Sequence, residues 1–420
     1  MAVSEPRSSP GAAPSLAAAG RLLSLDVLRG LDVVLMLFVN EMAGVRDTPA
    51  FLRHVRQGVD GMTVTDVVFP AFLFIAGMAI PLALGPRLAR GERPLAIWRH
   101  VATRSLGLVV MGVFMVNGEE GSLPGFPVNA WNVLVSCGLL MAWYAPARTA
   151  GTRRQRAVML GGVALLVIAA VTYRSAEAGG LVQLRPHWWG ILGLIGWAYL
   201  AGASLFLLLG ERPWALIGAS AVLYAAFFAD RYSGVLSPLG FRDVIDVGSV
   251  FGSLGALVTS GAAFTLIVRS GPGASPWRRV RHGVSFSAGL LTAGMVLHAF
   301  KDLGPAFWIS KPAATPAWCL LSAGFTAAAW TVLFVLVDVR RWTRWPRIVT
   351  TAGENPLLVY LVAPLFGSLM AIALPLSGAA PLYESLGVDA VSGALRSMAV
   401  AWVVIAACGW LRARGVRLRV

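Results

Sequence analysis

An imidazole, a carboxylate and a carboxamide fall close together near the start of this chain. His54, Asp66 and Asn40 lie in the stretch NEMAGVRDTPAFLRHVRQGVDGMTVTDVVFP. An imidazole beside a carboxylate can take or give a proton near neutral pH. A carboxamide can donate to an oxygen that gains negative charge. A second polar set precedes them, in SLDVLRGLD, with Asp26, Arg29 and Asp32. Their three-residue spacing puts all three on one helical face, as a self-neutralising triplet or as the wall of a polar site. Four more residues draw notice. They are Arg104 inside an apolar run, His298 in MVLHAFKDLG, Lys311 in WISKPAATPAWCLL and Asn355 in TAGENPLLVY. Simpler roles compete for each. Asp66 can cap a helix together with Thr63 or Thr65, Lys311 can anchor an aromatic belt, and Glu354 can start a helix.

The elements that must hold these residues follow from composition. Of 420 residues, 57% are hydrophobic and 13% are charged. Soluble domains carry about 25% charged residues, so this chain could not cover a soluble surface of its size. The expectation is an all-α, polytopic membrane protein with about 10–12 transmembrane helices. Candidate spans run over 25–42, 64–84, 101–117, 129–146, 157–173, 188–209, 214–229, 247–268, 283–300, 316–337, 350–376 and 391–411. Residues 1–21 are rich in Ala, Pro and Ser and read as a disordered cytoplasmic N-terminus rather than a cleavable signal. Residues 22–411 read as one membrane domain and 412–420 as a basic tail. Pro70 should loosen the second span and free a carbonyl beside a cavity.

Charge gives an orientation. The chain carries 35 basic and 20 acidic residues, a net charge of +15. One alternate set of loops, with both ends of the chain, holds 23 arginines and four acidic residues. The opposite set holds nine basic and eleven acidic residues. By the positive-inside rule both termini face the cytoplasm, and His54, Lys311 and His298 face outward. The excess charge is spread over many loops, so a nucleic-acid partner is not expected. Cys137, Cys319 and Cys408 all fall in spans without ligand spacing, so no zinc site or other metal is expected. No glycine-rich nucleotide motif occurs at a strand-to-helix junction.

Two stretches, LSLDVLRGLDVVLMLFVNEMAG and GMTVTDVVFPAFLFIAGMAI, resemble the paired opening helices of the heparan-α-glucosaminide N-acetyltransferase family. RSLGLVVMGVFMVN, HWWGILGLIGWAYL, WISKPAATPAWCLLSAGFTAAAW and GENPLLVYLVAP extend the likeness over about residues 22–370. The last three look closest to a bacterial branch known as a domain of unknown function. The resemblance implies a transmembrane acetyltransferase of the bacterial inner membrane. It would take acetyl from cytoplasmic acetyl-CoA and pass it to an amino sugar or other saccharide on the far side. Residue by residue, it implies His54 as the catalytic histidine, Asn40 as the amide at the end of the first helix, and Asp66 as the motif aspartate. His54 would act as general base or carry the acetyl group itself, Asp66 would orient it and Asn40 would donate to the oxyanion. Arg29, Asp26, Arg104 and Asn355 are expected at the CoA end, and Lys311 and His298 near the acceptor. The stretch VRQGVDG after His54 is longer than the family's pattern and lacks its tryptophan. Expected partners are the saccharide and the bilayer, and the reading admits a homodimer. A proton-coupled secondary transporter using Asp26, Asp32, Asp66 and Glu354 is the competing expectation.

Overall fold

The computed structural model describes residues 23–120, 127–145, 151–175, 181–234, 244–269, 275–342 and 347–418. Every regular element among these residues is a helix, and one isolated antiparallel bridge joins Tyr144 and Leu418. The expected disordered segment 1–21 lies outside them, as do parts of several arginine-rich loops.

Each expected span coincides with a helix. In chain order they are α1 (Leu23–Met42), α2 (Val64–Ala89), α3 (Pro94–Glu120), α4 (Val128–Ala142), α5 (Arg153–Thr172), α6 (Gly190–Leu209) and α7 (Pro213–Ser233). Then come α8 (Gly248–Val268), α9 (Pro276–His298) and α10 (Pro316–Val339), the short α11 (Arg347–Glu354), α12 (Pro356–Ser377), the short α13 (Ala380–Ser385) and α14 (Ala390–Ala413). Among the described residues, nine helices are long and apolar enough to cross a membrane. The other three long elements depart for visible reasons. α1 carries Asp26, Arg29 and Asp32, α9 carries Arg278, Arg279 and Arg281, and α4 has only 15 residues. The architecture is that of an all-α polytopic membrane protein.

One boundary differs from expectation. The span 350–376 is two helices, broken at Asn355. Pro356 has no N–H to continue the ladder and disfavours helical backbone at the residue before it. Asn355 then caps α12, its side-chain oxygen accepting from the Leu358 amide at 3.3 Å. By contrast, α2 is a single helix through Pro70, Pro81 and Pro86.

Small residues let the helices around the site touch backbone to backbone. A Cβ on Gly30 of α1 would stand 2.1 Å from the Val349 carbonyl oxygen, and one on Gly353 of α11 would stand 2.2 Å from that of Asp26. This close approach brings the polar start of α1 beside the α11–α12 break. Gly77 of α2 and Gly261 of α8 do the same on the other side of α2, at 2.0 and 2.1 Å from opposing carbonyl oxygens. α3 packs on α6, and α2 is held by α1, α6, α8 and α10.

Candidate active site

Asp66 is the centre of the polar wiring. It stands in the first turn of α2 and is 1% exposed. Its Oδ1 accepts from His54 Nδ1 at 2.7 Å. Its Oδ2 accepts from the backbone amides of Val55 at 3.2 Å and Thr63 at 3.1 Å. One carboxylate thus caps its own helix and pins the loop that carries His54. Two hydroxyls reinforce the loop: Thr63 donates to the Arg53 carbonyl and Thr65 to the Leu52 carbonyl, each at 2.8 Å. From α10, the Trp318 indole donates to the Asp66 carbonyl at 3.2 Å.

This arrangement sets the histidine's tautomer. With Nδ1–H donated to Asp66, Nε2 is left as the acceptor, on a side chain that is 48% exposed. Lys311 approaches the same ring, its Nζ 3.1 Å from Nδ1, 3.4 Å from Nε2 and 4.0 Å from Asp66 Oδ1. Since Nδ1 is already a donor, Nε2 is the one ring atom that can accept from the ammonium. Burial pushes the pKa of Lys311 below that of an ordinary lysine, against the pull of Asp66.

A cavity of about 800 Å³ begins at this cluster. On α2 its wall is Thr65, Val68, Phe69, Phe72, Ile75, Ala76, Ala79, Ile80 and Ala83. These recur at three- and four-residue spacing, so they form one stripe along the helix. At a rise of about 1.5 Å per residue the stripe is about 27 Å long, close to the hydrocarbon thickness of a bilayer. Met36 and Val39 of α1, Ile191, Leu192 and Ile195 of α6, and Leu357 of α12 keep the middle apolar. Charge returns beyond it, where Arg29, His100, Arg104, Glu354, Asn355 and Arg417 line the wall. There Arg29 pairs with Asp26 at 3.5 Å and donates to the Gly353 carbonyl at 3.4 Å. Arg104 lies over the Tyr199 ring at 5.2 Å, and Glu354 pairs with Arg412. The site therefore has a His–Asp–Lys cluster at one end, an apolar bore and a basic opposite end.

His54, Asp66 and Lys311 form one cluster, and exposed Asn40 lines the same cavity. Arg29, Arg104 and Asn355 line its basic part. Asp26 is not on the wall; it supports Arg29 from the side. Asp32 is on the wall but does not complete the expected triplet, because the ion pair of Arg29 is with Asp26. His298 stands off the cavity. Its Nε2 bonds Asp60 Oδ2 at 2.8 Å, and Asp60 Oδ1 accepts from the Ile309 amide at 2.9 Å. Burial pushes the Asp60 carboxyl up, but its bonds to His298 and Ile309 and the nearby Lys301 charge outweigh this and hold it below the ordinary carboxylate range. This second His–Asp pair ties the loop bearing His54 to the loop bearing Lys311. Asp60 was not singled out in the sequence, where it is one more polar residue in the QGVDG turn. Tyr199 and Tyr360 on the wall were also missed, although the spacing of α2's apolar residues marks a stripe that could have pointed to the bore. Among the described residues no group of three His, Cys, Asp or Glu gathers to hold a metal.

Residues 21–241, just over half of the chain, match a family described as Domain of unknown function (DUF5009). A segment of 99 residues is 39% identical to the heparan-alpha-glucosaminide N-acetyltransferase of Mus musculus, covering 24% of this chain and 14% of that protein. A segment of 97 residues is 37% identical to the protein of the same name in Homo sapiens, covering 23% of this chain and 14% of that protein. The similarity thus spans about one seventh of either curated relative.

Proposed function

The chain belongs to the family described as Domain of unknown function (DUF5009), and from its partial similarity to two N-acetyltransferases and from the cavity we propose that it is a transmembrane acyltransferase. In this reading residues 22–411 form one catalytic membrane domain in the inner membrane, with both termini in the cytoplasm. Acetyl-CoA is the donor, and an amino sugar or another saccharide on the opposite face is the acceptor. The observation that carries the reading is the single cavity with the His54–Asp66 pair at one end and arginines at the other.

The wall suits such a donor. The phosphates of CoA meet Arg29, Arg104 and Arg417, where guanidinium groups can bind them in pairs of hydrogen bonds. The thin, mostly aliphatic arm lies in the apolar bore. The thioester then reaches the cluster at the start of α2. His54 Nε2 takes the proton of the acceptor amine or hydroxyl as that atom attacks the thioester carbonyl. Asp66 holds the imidazole by Nδ1 and stabilises the cation that forms. The amide of Asn40 donates to the carbonyl oxygen as it gains charge. The new bond to the acceptor forms, the C–S bond breaks, and the sulfur leaves as CoA thiol with the proton from His54. Lys311 stands beside Nε2 as a further contact for an acceptor oxygen.

The test uses purified protein in proteoliposomes with acetyl-labelled CoA on one side and glucosamine on the other. Labelled N-acetylglucosamine should appear on the side opposite the CoA, and His54→Ala should abolish it. Absence of both acetyl transfer and CoA binding in the wild type rules the reading out. Proton-driven uptake of a solute without any need for CoA would favour a transporter instead.

A further inference from the structure

Asp32 has no part in the scheme above, yet it stands on the cavity wall. The residue is 8% exposed, and its Oδ2 has no hydrogen-bond partner among the described residues. Buried polar atoms are nearly always satisfied, because water's hydrogen bonds are lost on burial. The neighbour best placed to answer it is Arg29, one turn earlier, but Arg29 is turned to Asp26 and to the Gly353 carbonyl. Across the bore, the α2 stripe from Val68 to Ala83 is wholly apolar and offers no donor. The next wall residues of α1 are Met36 and Val39. A leucine here would suit the membrane and the packing better, so the carboxyl is a cost to the empty protein.

Its place along the bore narrows what could satisfy it. Asp32 lies three residues after Arg29 and eight before Asn40 on the same helix. At about 1.5 Å per residue it is about 4.5 Å beyond the phosphate end and about 12 Å short of the transfer end. A ligand whose phosphates meet Arg29 and whose thioester reaches His54 has its arm beside Asp32. That arm is aliphatic except for its secondary amides, and an amide N–H is the donor that the unpartnered oxygen lacks. We infer that Asp32 is a binding residue for the arm of the acyl donor, with its carboxyl oxygen accepting from an arm amide. This rests on the acyl-CoA reading and adds a recognition point to it. Arginines alone would hold any adenosine phosphate, whereas Asp32 selects one that carries the amide-bearing arm.

The experiment compares two ligands on the purified, detergent-solubilised full chain by isothermal titration calorimetry. One is CoA; the other is adenosine 3′,5′-bisphosphate, which lacks the arm. Asp32→Leu should weaken CoA about tenfold, the size of one hydrogen bond, and change the bisphosphate less than about twofold. Asp32→Asn keeps an acceptor oxygen and should bind CoA within about threefold of wild type. Without ligand, Asp32→Leu should melt at the same temperature as wild type or higher, because a buried unpartnered carboxyl is gone. Unchanged CoA affinity in Asp32→Leu overturns the inference, as does equal weakening of both ligands. Failure of Asp32→Asn to recover affinity overturns the hydrogen bond as the cause. An Asp32→Leu chain that aggregates overturns it too, since the carboxyl would then be needed for folding. If the wild type binds neither ligand, the acyl-CoA reading falls first and this one with it. If the wild type binds CoA and the variants do not differ from it, only Asp32 is misassigned.

Discussion

The two ends of the cavity are built in opposite ways. At the His54 end a single buried carboxylate takes hydrogen bonds from a side chain and two backbone amides, and a second His–Asp pair braces the loops around it. The imidazole ring is thus fixed in angle and tautomer by the protein itself. At the other end, long arginine side chains line the wall, with contacts to Asp26, Gly353 and Tyr199. Chemistry needs an atom held to a fraction of an ångström, whereas binding an anionic group tolerates adjustable donors. In the proposed reading this contrast divides proton transfer at one end from capture of charge at the other.

That assignment can be broken by substitution at either end. His54→Ala should cost the most, about 10³-fold in acetyl transfer, with CoA affinity unchanged by calorimetry. Equal loss of binding would erase the division of labour. Asp66→Asn should lower the rate about 10²-fold and also lower the melting temperature, because the cap of α2 and the orientation of His54 depend on the same side chain. At the basic end, Arg29→Ala or Arg104→Ala should raise the KM for acetyl-CoA about tenfold and leave kcat within about threefold. A fall in kcat alone would place these arginines in the chemistry. Lys311→Met tests the contact to the acceptor. Without the amine beside the His54 ring, the KM for the acceptor should rise about fivefold with kcat within about twofold. Loss of kcat with KM unmoved would give Lys311 a part in the chemical step instead.

Asp60→Asn should do least to the rate, a fall of about threefold, because Asp60 braces the loops and is absent from the cavity wall. Its effect on stability carries a sign. The Asp60 carboxyl titrates below its ordinary value of 3.8 in the folded protein. Its stabilisation is therefore complete above that value and is lost as pH falls through the lowered one. Melting temperatures of wild type and Asp60→Asn should differ at neutral pH and converge below about pH 3.8. A difference that persists in acid would show that the brace is not ionic.

Much of the frame was legible because it depends on local composition. Long apolar runs, punctuated by Gly, Pro and arginine clusters, marked all twelve long helices. The break at Asn355–Pro356 was overlooked since the runs on both sides are apolar, although the proline supplies a local reason for it. The polar contacts were legible only in part. His54, Asp66 and Asn40 could be grouped because they lie within a few tens of residues of one another. Asp26, Arg29 and Asp32 could be put on one face, but not which oxygen the guanidinium would choose. Burying Gly30 against α11 turns Arg29 toward Gly353 and Asp26, and Asp32 is left to the cavity. His298 stood near Lys301 and Asp302 in sequence, yet its partner is Asp60, 238 residues away.

Hydropathy and backbone chemistry act over a few turns of chain, so the membrane class, the order of the helices and the types of side chain available can be read along it. Which of those side chains meet depends on tertiary packing. Lys311 reaches His54 across 257 positions, and the bore exists because stripes on α1, α2, α3, α6 and α12 face one another. Such meetings depend on how helices rotate about their axes when small residues let backbones touch, and no window along the chain contains that information.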